Sequence, residues 1–311
     1  MVTRRTFTGG LLVTFIATYA NALTLGAKNR GADQPYFTLL LPSDYDAQDL
    51  ALQSFAIDDH GGRLYAQFVT HERPAQTTIM EYDLTPNGRG LPVTIRQPTR
   101  EIGHQGLSLE NVSDGPHLWA AAPGRSWEAV RFKYNLDGRL DIQRYKLFDD
   151  SYMRFSITVA ISYDQKWLIA TSRKTKEYGG SNTIRIFELQ KVLRNDSRDL
   201  SNSFEYEWSI PTRRRFPVQG IASNQDIVAI SYGTSKANES KPVFVYTIEG
   251  TAQGMIPDIN PGKNSLLPRQ SYEPEGLCYS RVGEKGTPVL FVGVTTGRKE
   301  TGRQRAIYEL K

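Results

Sequence analysis

The sequence predicts an all-β fold, a five-bladed β-propeller whose last blade is closed by the N-terminal strand. Three observations predict it. One strand module recurs five times, its opening recurs at positions 53, 105, 156, 219 and 275, and helix signals are scarce. The intervals of 52, 51, 63 and 56 residues suit a four-stranded blade, which needs roughly 40–50 residues plus loops. Five hairpins in a β-sandwich would not show so long a regular period.

Each module opens on a Gln-small-apolar segment and turns through Asp, Gly or Asn. A second strand of apolar and small residues follows, then a third that ends in an aromatic-rich run. Copy one has Gln53-Ser54-Phe55, then RLYAQFV over 63–69 and TIMEYDL over 78–84. Copy two opens at Gln105-Gly106-Leu107 and continues with HLWAAA over 117–122 and AVRFKY over 129–134. Copy three replaces the polar opening with Phe155 or Ser156, in SITVAI over 156–161, followed by WLIATS over 167–172 and TIRIFEL over 183–189. Copy four has Gln219-Gly220-Ile221, DIVAISYG over 226–233 and VFVYTI over 243–248. Copy five has Glu275-Gly276-Leu277, VLFVGV over 289–294 and RAIYEL over 305–310.

The second strands are rich in Val, Ile and Ala, as residues sandwiched between blades should be. The third strands alternate, which places one face in the core and one in water. Fourth strands are legible near Leu91, Arg139 and Phe204. After copy five the chain ends at Lys311, so PYFTLLLP over 35–42 is expected to complete the last blade, tying both ends of the chain into one sheet. LQKVLRN over 189–195 is the one segment expected to form a helical turn or two.

Composition excludes several function classes. At 311 residues, 39% hydrophobic and 23% charged, the chain can bury a core without covalent staples. The formal charge of +5 is spread over the sequence, which argues for a mixed surface and against a nucleic-acid partner. The single cysteine, Cys278, rules out an internal disulfide or a multi-cysteine metal site and reads as a small buried hydrophobe. His60, His71, His104 and His117 lack zinc-ligand spacing. No calcium loop, P-loop or nucleophile elbow is present, so no cofactor and no metal are expected.

Residues 1–22 read as an export signal. Arg4-Arg5-Thr6-Phe7 resembles the twin-arginine motif, an apolar run covers 9–19, and Ala20-Asn21-Ala22 is a small-x-small cleavage pattern. An ordinary secretory signal with two adjacent arginines is the alternative. Residues 23–311 then form a single propeller domain, periplasmic or secreted, with no later segment apolar enough for membrane insertion, and monomeric.

The first strand of each blade lines the central channel, so the repeat nominates site residues by position. Gln53, Gln105, Gln219 and Glu275 share one register and could bind a polar ligand at the channel mouth, or could satisfy one another for architectural reasons. His104 precedes Gln105 at the same mouth. Glu273 and Glu275 lie two apart on a strand and therefore on one face. Glycoside hydrolysis needs two carboxylates, yet the openings of other blades carry Gln, which cannot act as acid or base. Arg173 and Arg298 follow second strands and crowd one end of the disc, with Lys174 and Lys299 beside them. Trp127, after the turn 124–126, is the best candidate for an exposed aromatic that stacks on sugars. Arg213-Arg214-Arg215 reads as a solvated loop or an anion-binding rim.

LQSFAIDDHGGRLYAQF, GHQGLSLENVSDGPHLWAAA and EPEGLCY with VLFVGVTTG and RAIYEL resemble the helveticin J-like family. That family includes class III bacteriocins, proteins named teichoic-acid biosynthesis protein C and phage receptor-binding proteins. The resemblance covers blades one, two and five best; the family's Gly-His-Gly is replaced here by Gly103-His104-Gln105-Gly106. It implies a five-bladed propeller and recognition of a cell-surface polysaccharide or phosphopolymer at the mouth around Gln53, His104, Gln105, Gln219 and Glu275. The sequence therefore reads as an exported binding protein, bacteriocin-like by that resemblance. The alternatives are a glycan-processing hydrolase or lyase using Glu273 or Glu275 with His104, and a non-catalytic interaction scaffold.

Overall fold

The computed structural model describes residues 34–70, 74–124, 126–135, 141–154, 157–178, 181–210, 217–266, 270–282, 286–298 and 302–310. The leader, His71, Phe155, Ser156, Arg213–Arg215 and Lys299 lie outside them.

The described chain begins with β1 (Phe37–Leu39) and a short helix α1 (Ser43–Ala47). Blade one is β2 (Ala51–Asp58), β3 (Arg63–Val69), β4 (Thr77–Asp83) and, after β5 (Gly88–Gly90), β6 (Thr94–Ile95). Blade two is β7 (Ser108–Val112), β8 (Gly115–Ala121), β9 (Glu128–Lys133) and β10 (Ile142–Lys146). Blade three is β11 (Thr158–Ile161), β12 (Trp167–Arg173), β13 (Asn182–Glu188) and, after α2 (Leu189–Leu193), β14 (Tyr206–Ile210). Blade four is β15 (Val218–Asn224), β16 (Ile227–Tyr232), β17 (Val243–Thr247) and β18 (Ala252–Ile256). Blade five is β19 (Tyr272–Ser280), β20 (Val289–Thr296) and β21 (Gln304–Leu310), completed by β1 and then β5.

The expected closure is present. β1 pairs antiparallel with β21, Phe37 opposite Ile307, so the N-terminal strand becomes the fourth strand of the last blade. β5 then adds parallel to β1, Phe37 opposite Gly88, a fifth strand that the periodicity does not reveal. Two further elements escape the sequence pattern. β18 reads AQGMI and is largely exposed, so it lacks the apolar alternation that marks a strand. α1 reads SDYDA, with no buried residue and hence no apolar stripe.

The core lies between blades. Five clusters of buried side chains each join two neighbours, for example Phe37, Phe55 and Phe291 between blades five and one, and Trp119, Val159 and Phe187 between blades two and three. Full burial of such a side chain contributes about 1.5–3 kcal/mol, so the ring is held by its blade-to-blade contacts. Among the described residues no helix is long and apolar enough to cross a membrane.

Candidate functional site

Every inner strand runs from one end of the axis, the mouth, to the other, which forms a cup. At the mouth, the polar residue of the repeat falls on an irregularity of the sheet. Pairing slips between Leu52 and Ser54, between Val218 and Gly220, and between Pro274 and Leu277. Each slip is a β-bulge, which leaves an extra residue outside the ladder and re-aims its side chain. Gln53, Gln219 and Glu275 occupy those slips.

The small residue that follows has a different cause. A Cβ on Gly220 would come 2.7 Å from the carbonyl carbon of Gly276, and one on Gly276, whose φ is +80°, would come 2.9 Å from Ser54 Oγ. Only small residues allow inner strands to approach so closely. Around the rest of the ring, Leu107 N–H donates to Ser54 Oγ at 3.0 Å, Ile161 N–H to Ser108 Oγ at 2.8 Å, and Tyr163 N–H to the Ser223 carbonyl at 2.9 Å. All five junctions between inner strands are thus closed by backbone contact or hydrogen bond. Mouth and cup therefore lie at opposite ends of one ring of neighbouring inner strands.

At the mouth, Gln219 Nε2 donates to the Gly233 carbonyl at 3.1 Å and to Glu273 Oε1 at 3.3 Å. Gln53 Nε2 donates to the Leu52 carbonyl at 3.1 Å, and Gln105 Oε1 accepts from Thr158 Oγ1 at 3.4 Å. The amides are partly spent within the ring. The acids are not. Burial raises the Glu273 carboxyl above the usual carboxylate range, while Arg303, the Gln219 hydrogen bond and Lys241 pull it back. Glu275 is 4% exposed. Burial, and then the neighbouring Glu273 charge, hold it well above the usual range, with Arg303 opposing. Among the described residues its carboxyl has no hydrogen-bond or ion-pair partner.

The other nominees are dispersed. His104 is exposed in the loop before blade two. Arg173 is half-buried at the end of β12 and Arg298 exposed just beyond β20; both strands run towards the mouth. The exposure expected of Trp127 is absent. It is half-buried, its indole N–H donates to the Tyr152 carbonyl at 2.8 Å, and the Arg154 guanidinium lies 4.3 Å from its ring centroid, so its ring serves packing at the rim. Cys278 is partly buried on the wall of the cup.

The cup, which sequence reasoning missed, is a half-open cavity of about 340 Å³ at the far ends of the inner strands, lined by residues of all five blades. Asp59 is its anchor. Its carboxylate accepts from the Ser280 hydroxyl, from Arg281 N–H at 2.8 Å and from Tyr163 Oη at 2.9 Å, tying blades one, three and five together over the axis. Burial, and the bond to Asp59, push the Tyr163 phenol up to about 12. The Arg281 guanidinium lies 5.3 Å over the Tyr163 ring within cation–π reach. In the sequence Asp59 and Tyr163 sit in Asp-containing turns, IDDHG and SYDQ, which carry the punctuation of hairpins and nothing that sets them apart from it. Among the described residues no group of three or more His, Cys, Asp or Glu side chains is placed to hold a metal ion.

Four blades of four strands and a fifth extended to five by β5 define a five-bladed β-propeller. Residues 51–309 match a family described as the phage five-bladed β-propeller receptor-binding platform domain, and the chain belongs to that family. It is similar to a Bacillus subtilis (strain 168) protein named as a major teichoic acid biosynthesis protein C, with 24% identity over 273 residues, 84% of this chain and 60% of that one. It also resembles the tail fiber of Staphylococcus aureus phage P68, with 19% identity, a TM-score of 0.59, and coverage of 88% of this chain and 52% of that chain. An exo-beta-1,3-galactanase from Phanerochaete chrysosporium shares the fold at 8% identity and a TM-score of 0.53, over 83% of this chain and 60% of that chain. The chain thus spans little more than half the length of the first two.

Proposed function

We propose that this chain is an exported receptor-binding propeller that docks on a cell-surface glycopolymer through its mouth, as a monomer and without catalysis. The observation that carries the reading is Glu275. A buried carboxyl with no partner is costly, and sugar hydroxyls are the donors that would satisfy it. Glu273 neighbours it on the same strand, Gln53, Gln105 and Gln219 hold its register on other blades, and with His104 they would serve as adaptable acceptors and donors, while Arg173 and Arg298 would supply positive charge for a phosphate-bearing polymer. Family membership and the similarity to a phage tail fiber support recognition of a surface receptor. The helveticin J-like resemblance concerns this docking step and not killing. The hydrolase reading is weaker because Glu273 and Glu275 both come from β19, whereas the other openings offer amides.

The test is retention of the purified protein on cell walls before and after chemical removal of wall teichoic acid, alongside immobilised capsular polysaccharide. Retention that falls when the polymer is stripped, and falls about tenfold further in Glu275→Gln, supports the reading, since a hydrogen bond to a charged group is worth about that much. Retention on no polymer would leave the scaffold. Release of reducing sugar during incubation would instead establish the hydrolase.

A further inference from the structure

The cup lies at the end of the axis opposite the proposed polymer-binding mouth, and its chemistry is different. Its carboxylates are occupied. Asp59 holds the three donors named above, and Asp164 accepts from Ser162 Oγ at 2.6 Å and from Lys166 N–H at 3.4 Å. Three further groups can donate. The Arg281 guanidinium rests on Tyr163 with no acceptor among the described residues. The Tyr279 hydroxyl likewise makes no hydrogen bond there. Ser223, on the inner strand of blade four, is 2% exposed, and its hydroxyl has no partner. A buried hydroxyl left unsatisfied costs about 1–3 kcal/mol, so its persistence on a cavity wall points to a ligand atom that completes it.

The wall is also braced. Gln165 adopts φ +61° at the tip of the blade-three hairpin, a conformation few residues other than glycine or asparagine accept. Its side chain is spent across the blade junction, accepting from Asn111 N–H at 3.0 Å and donating to the Leu109 carbonyl at 3.4 Å. Backbone strain held by such bonds clusters at ligand sites. Between the polar groups lie Leu107, Ala160, Ala222 and Leu277, an apolar floor of the kind that covers one face of a sugar.

We propose that the cup is a second ligand site, which takes a single sugar-sized, hydroxylated anion, its charge on Arg281 and its oxygens on Ser223 and Tyr279. A cavity of this size takes a chain end or a pendant unit of a polymer, or a free ligand. The anion is a carboxylate, as in a uronic acid, or a phosphate, as in a sugar phosphate.

The proposal is independent of the mouth and is tested separately, on the full protein, by titration calorimetry with glucuronate, glucose 1-phosphate and glucose. At least one anion should bind about tenfold or more tightly than glucose, and the tighter anion identifies the group. Arg281→Gln should abolish that preference, with a loss of about 10–100-fold for the anion, the worth of a charged hydrogen bond. Ser223→Ala should weaken all three ligands without changing their order. Cys278 reports the location. It is the chain's single cysteine and lines the cup; burial pushes its thiol up to about 12, so methanethiosulfonate labelling is slow, and a bound anion should slow it further. Absence of binding by all three ligands, an anion preference that survives Arg281→Gln, or labelling unchanged at saturation would each overturn the proposal. Loss of wall retention in Glu275→Gln with glucuronate binding intact would show that the two sites fail separately.

Discussion

At the mouth, the groups left over once the protein has made its own hydrogen bonds are acids, Glu275 above all. At the cup they are donors: the Arg281 guanidinium and the hydroxyls of Ser223 and Tyr279. The same five strands build both ends, and the difference lies in how each strand begins and ends. In blades one, four and five they begin on bulges, where an extra residue leaves the ladder and the following Ser or Gly lets neighbouring blades touch. They end in hairpins whose tips differ in every blade. Repetition therefore marks what the ring needs in order to close, and departure from repetition marks what it can hold. A ligand without fivefold symmetry, bound on a fivefold axis, must be met by five different contributions, and the cup supplies them.

The largest effect should come from opening the ring on which both ends depend. Phe37 on β1 is 1% exposed and meets Tyr82 edge-on, with centroids 6.0 Å apart. Phe37→Ala should cost about 3–5 kcal/mol, read by urea denaturation, and should weaken ligand binding at both ends. If the mouth alone failed, the two chambers would not share a scaffold. Gly276→Ala comes next. A methyl at φ +80° facing Ser54 strains the backbone and pushes blades five and one apart, for about 2–3 kcal/mol. Gly254→Ala, where nothing lies within 4 Å of the added Cβ, is the control and should be near neutral.

Glu275→Gln sharpens the contrast by pH. The folded-state pKa values of Glu275 and Glu273 are raised above the ordinary value. Their contribution is therefore fully present below the unfolded pKa and is lost as pH rises through the folded pKa. Wild type should lose stability as pH rises above about 4.5, and Glu275→Gln, which cannot ionise, should lose less, ending more stable at neutral pH while matching wild type in acid. Thermal melts across that range check it. A steeper pH dependence in the variant would mean that Glu275 is ionised and satisfied in the fold, removing the basis for the mouth as an acceptor site.

The propeller was legible because each blade must bury two faces, so second and third strands repeat in composition as well as in period. Closure by β1 was legible from arithmetic, since blade five lacked a fourth strand and the region before blade one held a spare. β5 and β18 were not, because a short or exposed edge strand need not alternate. The mouth was legible as a register of Gln and Glu, but the bulges that make the register irregular and the close approach of neighbouring inner strands depend on distances between strands far apart in sequence. The cup was hidden for the same reason. Asp59 meets Ser280, Arg281 and Tyr163 only in the closed ring, and in sequence each is an ordinary turn residue.

Trp127 gives the smallest expected effect and decides how far the mouth reaches outward. A sugar-stacking residue on an open surface would lose affinity on substitution and leave stability alone. In the structure the indole N–H is committed to Tyr152 and the ring is covered by Arg154. Trp127→Phe keeps the aromatic face and removes the hydrogen bond, so the expected cost is about 1 kcal/mol of stability with wall retention unchanged. The two measurements move in opposite senses for the two roles. If retention fell while the denaturation midpoint held, the mouth would extend along blade two to its third strand, and the recognised unit would be longer than one that contacts only the inner ring.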